Sequence, residues 1–78
     1  MSAAEAQEVK TLLLQRDNEF RQLVEQHHQL DNRLHELTDK HYLSASEEIE
    51  EVTLKKKKLA LKDQMERIVR QYAQTRAS

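Results

Sequence analysis

From Leu13 onward, apolar side chains recur in alternating steps of three and four, at Leu13, Phe20, Leu23, Leu30, Leu34 and Leu37. Arg16 and His27 fill the two remaining steps. Such spacing holds one stripe on one side of a helix. Val9 extends the stripe towards the N-terminus and Leu12 lies beside it, so the pattern predicts one helix over about residues 4–38. The periodicity stops at Asp39-Lys40-His41-Tyr42-Leu43, which reads as a turn over 39–43. Ser44 then precedes Glu47 by three positions, the S-x-x-E arrangement in which a hydroxyl and a carboxylate satisfy amides at a helix start. Glu47, Glu48, Glu50 and Glu51 crowd the next turns, where exposed amides favour negative charge. A second helix is therefore expected over about 44–73, with short frayed ends at both termini.

The second helix has apolar residues on two sides. Leu54, Leu61, Met65, Ile68 and Tyr72 fall on one side and complete a hairpin core with the stripe of the first helix. Ile49, Val52 and Leu59 fall on nearly the opposite side, which one partner helix cannot cover. These three predict burial against a second copy. The expected architecture is all-α: residues 1–78 form a single antiparallel two-helix hairpin, coiled-coil-like, that self-associates as a dimeric four-helix bundle.

Composition supports this and removes other classes. The chain has 78 residues with no Gly, no Pro and no Cys. That excludes glycine loops for phosphates, tight glycine hairpin turns, disulfides and Cys-based zinc sites. Ala, Glu, Lys, Leu and Arg make up about half of it, the mark of long helices. A core this small supplies only about 3–5 kcal/mol, so a second copy would help. The longest apolar run, Leu12-Leu13-Leu14, suits neither a bilayer span nor a signal peptide, and a cytoplasmic protein with no membrane contact is expected. Net charge is −1 but uneven: residues 1–40 carry eight acids and five bases, residues 52–78 two acids and eight bases.

The stretches Leu14-Gln15-Arg16-Asp17-Asn18-Glu19-Phe20, His27-His28-Gln29-Leu30-Asp31, Leu34-His35-Glu36-Leu37, Lys40-His41-Tyr42-Leu43-Ser44 and Leu54 to Asp63, in that order, resemble the YdcH family, also called DUF465. The likeness covers about residues 10–70. It implies a small bacterial cytosolic helical protein of uncharacterised role, and supplies no catalytic residues.

Three constellations bear on chemistry. His28, Asp31 and His35 share a helix face at steps of three and four, the spacing that would suit a metal. Such a site needs further fixed ligands, so neither a metal nor a cofactor is expected, and the three read as solvated polar residues. Lys55, Lys56, Lys57, Lys58 and Lys62 form a basic segment available for anion contact. Four consecutive residues run around most of a helix, however, and no aromatics interleave for base stacking. The hairpin is expected to bring Asp17, Glu19 and Glu25 near this segment. Ser44 and Ser46 have His41 nearby, but capping accounts for both serines and no oxyanion hole is available, so no catalytic residues are assigned. His27 and Lys58 both interrupt the seam; the histidine is expected to be neutral and the lysine to reach towards Glu25 or solvent. The expected role is a non-catalytic interaction or scaffold module with itself and an unidentified protein as partners, the alternative being a nucleic-acid accessory protein.

Overall fold

An unbroken helix through Arg16 would carry a guanidinium into the apolar stripe, and the chain avoids this by breaking at Asp17. A computed structural model describes residues 2–77, with side chains to residue 75, and shows three helices: α1 (Ala3–Arg16), α2 (Asn18–Thr38) and α3 (Ala45–Ala77). The single expected helix over 4–38 is thus two helices, which corrects the two-helix hairpin to a three-helix arrangement.

Asp17 serves both sides of the break. Its extended backbone lets its amide donate to the Leu13 carbonyl at 2.8 Å, closing α1, while its carboxylate accepts from the Phe20 amide at 3.0 Å, opening α2. An aspartate at a helix start satisfies an otherwise orphaned donor in this way. Arg16 is left exposed.

The second helix start follows the expected chemistry. The Glu47 amide donates to Ser44 Oγ at 3.2 Å, and the Ser44 amide donates to Glu47 Oε1 at 3.0 Å. Lys40 in the turn also pairs with Glu47. The expected frayed ends at 3 and 74–77 are helical, and Met1 and Ser78 lie outside the described residues.

The core lies in two clusters along a molecule of 51 × 19 × 19 Å. Leu34, Leu37 and Leu54 form the one near the turn, flanked by Leu30 and Leu43. Val9, Leu13, Phe20 and Val69 form the other, with Val24, Met65, Ile68, Tyr72 and Ala73 packed against it. Leu23 is buried as well, and Leu61 is half-buried. Leu37 and Phe20 are the most enclosed side chains. All of these lie on one side of α3, towards α1 and α2.

Charge pairs tie α2 to α3. Arg33 donates to both oxygens of Glu50, with Nη2 2.7 Å from Oε1, and its Nη1 reaches Glu36 at 2.9 Å. This fork holds the guanidinium's proton more tightly than usual and keeps Glu50 below the ordinary carboxylate range. Lys58 pairs with Asp31 and not with Glu25 or solvent alone, lowering the Asp31 carboxyl in turn.

Candidate functional site

With α1 and α2 on one side of α3, no described residue covers the opposite side at Ile49, Val52 and Leu59. Ile49, Val52 and Leu59 are 69%, 51% and 60% exposed, whereas Leu54 and Val69 on the inner side are buried. The steps 49, 52, 56 and 59 alternate three and four, so Lys56 completes the outer stripe between Val52 and Leu59. Exposed apolar residues scattered singly are ordinary, but these stand in line on one helix.

Beside this stripe runs an open groove of about 510 Å³ between α2 and α3. Asp31, Leu34, His35 and Thr38 line it from α2. From α3 come Lys55, Lys58, Leu59 and Lys62, so Leu59 belongs to both the stripe and the groove. Leu34 and Leu59 give it an apolar floor between cationic walls. Lys58 is paired with Asp31 and Lys55 with Glu51 at 3.2 Å, while Lys62 makes no ion pair among the described residues. Asp17, Glu19 and Glu25, expected near the basic segment, make no ion pair with it there.

The lysine run divides as helix geometry requires. Lys57 turns away to a second groove of about 330 Å³, with Gln26, Gln29, Leu30 and Leu61. Lys55, Lys56, Lys57, Lys58 and Lys62 therefore do not make one cationic face.

The histidines do not converge. His35 Nδ1 donates to the Asp31 carbonyl at 2.9 Å and lies 3.8 Å from its Oδ2, while His28 packs edge-on to His27 with ring centres 6.3 Å apart. Among the described residues no three His, Cys, Asp or Glu side chains are grouped to hold a metal. His27 is half-buried, and burial first, then the Lys58 charge, lowers its pKa. Ser44 Oγ accepts from the Glu47 amide and lies 3.1 Å from Ser46 Oγ, so its role is in the cap.

The groove has no pattern in the sequence, because its α2 wall of Asp31, Leu34, His35 and Thr38 mixes polar and apolar letters; Leu59 beside Lys58 and Lys62 is the available signal.

A family model described as Protein of unknown function (DUF465) matches residues 20–69. The chain belongs to the DUF465 family. The matched DUF465 segment holds most of α2, the turn and most of α3, and begins and ends on Phe20 and Val69, two members of one buried cluster. The whole of the outer stripe and of the groove lining lies within it, while α1 lies before it. No curated protein and no solved structure matches. Among the described residues no helix is long and apolar enough to cross a membrane.

Proposed function

We propose that the protein is a small, non-catalytic, cytoplasmic interaction module that self-associates through the outer face of α3. The observation that carries this reading is the line of Ile49, Val52 and Leu59, each more than half exposed while the same helix is packed on its other side. A Val, Leu or Ile side chain gains about 1.5–3 kcal/mol on full burial, and a second copy offers the same three residues in return. In the dimer, the α2–α3 pairs of two copies supply a four-helix bundle, and the remaining surface is free for a further protein partner.

The test is Val52→Gln with Leu59→Gln in one chain, followed by light scattering and circular dichroism. The double variant is expected to keep its helix content and lose the dimer mass. A variant that remains dimeric overturns the role of this face.

A second reading, contact with nucleic-acid phosphates, draws on Lys55, Lys58 and Lys62 along one groove. Two of those lysines already hold carboxylates. Affinity for a DNA oligomer that falls steeply with salt would favour this reading, and absence of binding at low salt would remove it.

A further inference from the structure

The charges along α3 are unevenly placed. Acids come first, at Glu47, Glu48, Glu50 and Glu51, and bases follow from Lys55 to Lys58 and at Lys62. Within the monomer Glu47 is held by Lys40, Glu50 by Arg33, Glu51 by Lys55, and Lys58 by Asp31. Over this segment Glu48, Lys56, Lys57 and Lys62 make no ion pair among the described residues. Lys57 faces the other groove. Helical spacing sets the other three in or beside the outer stripe, with Glu48 next to Ile49 and Lys62 three positions beyond Leu59.

We infer that two copies dock antiparallel, α3 against α3, about a two-fold axis passing near residue 54 of each. This rests on the self-association proposed above and names its geometry. Ile49 of one copy lies opposite Leu59 of the other and enters the groove floored by Leu34 and Leu59. Val52 packs on the alkyl stem of Lys56, whose ammonium reaches solvent. Glu48 comes alongside Lys62, twice over because the interface is self-complementary. A parallel arrangement sets Lys56 against Lys56 in the centre of the stripe and leaves Glu48 and Lys62 of the two copies about 20 Å apart along the helix, so it brings repulsion without the compensating pair.

The absence of native cysteine makes the test direct. Ile49→Cys and Leu59→Cys are prepared as separate full-length chains, then oxidised alone and mixed. The antiparallel register separates equal positions by about ten residues, about 15 Å along the helix, too far for a disulfide. Crosslinking is therefore expected in the mixture and not in either chain alone. Crosslinking of each chain with itself would show a parallel pair and overturn the inference. A dimer mass without any crosslink would overturn the register while leaving self-association standing, whereas a monomeric wild type would remove both. Glu48→Lys and Lys62→Glu are each expected to weaken the dimer on the order of tenfold, and both changes in one chain to restore it. Failure of that restoration contradicts the proposed charge pairing.

Discussion

Protonation of Glu47 removes a carboxylate that Lys40, the Ser44 amide and the Ser44 hydroxyl all hold in place, and together these lower its pKa to about 2 from an ordinary 4.5. The unfolded chain therefore binds this proton first. Stability from Glu47 is complete above about pH 4.5 and fades as pH falls towards 2. Asp31 and Glu50, also lowered by their lysine and arginine partners, add to the same acid limb. Urea midpoints at about pH 6 and pH 3 should differ less in Glu47→Gln than in wild type; an identical gap would contradict this role. Ser44→Ala should cost about 0.5–2 kcal/mol, and an unchanged midpoint would mean that the cap contributes nothing. His27 has the opposite acid–base chemistry and the same outcome. Its burial, with Lys58 and Lys62 from α3 and His28 beside it, outweighs Asp31 and holds the folded ring below 6.5. The unfolded imidazole takes the proton more readily, so this residue weakens the fold as pH falls through 6.5. Ring titration by NMR should give a value below 6.5, and His27→Leu should flatten that part of the profile.

At the scale of elements, the informative comparison is between two Asp-Asn pairs. Asp17-Asn18 breaks the chain into α1 and α2, whereas Asp31-Asn32 sits within continuous α2. Both pairs carry the same weak helix preference and the same capping ability. What separates them is tertiary: Leu30 and Leu34 keep apolar side chains on both sides of Asp31, whose carboxylate is held by Lys58, whereas Arg16 sets a charged side chain at a stripe position beside Asp17. Periodicity and the Ser44-x-x-Glu47 pattern therefore marked the all-α class, the start of the last helix and the exposed Ile49, Val52 and Leu59, but not the break. Val69 escaped notice for a related reason. It lies four residues after Met65 and three before Tyr72, on the shoulder of the inner stripe, and becomes buried because α1 brings Val9 and Leu13 to it. Asp17→Ala should cost about 0.5–2 kcal/mol and speed amide exchange at Phe20, while no change at that amide would argue against its bond to the aspartate. Circular dichroism should report at least about 80% helix, as helices of 14, 21 and 33 residues require.

For the whole molecule, the uneven distribution of charge and of apolar surface acts in concert. The inner side of α3 joins two core clusters into one rod, and inter-helix pairs such as Arg33–Glu50 and Lys58–Asp31 match the register of α2 to α3. Among the described residues those pairs leave Glu48 and Lys62 unmatched beside an apolar line, on the face where the proposed second copy would supply both complements. A monomer of this size without disulfides has a small stability margin, and the proposed association would add to it by mass action. Loss of the dimer should accordingly lower the melting temperature at dilute concentration. The most direct measurement is sedimentation equilibrium of the wild-type chain across a dilution series. The account predicts a mass about twice 9.3 kDa that falls towards the single-chain value on dilution, and a strictly monomeric protein at the highest concentration would contradict it.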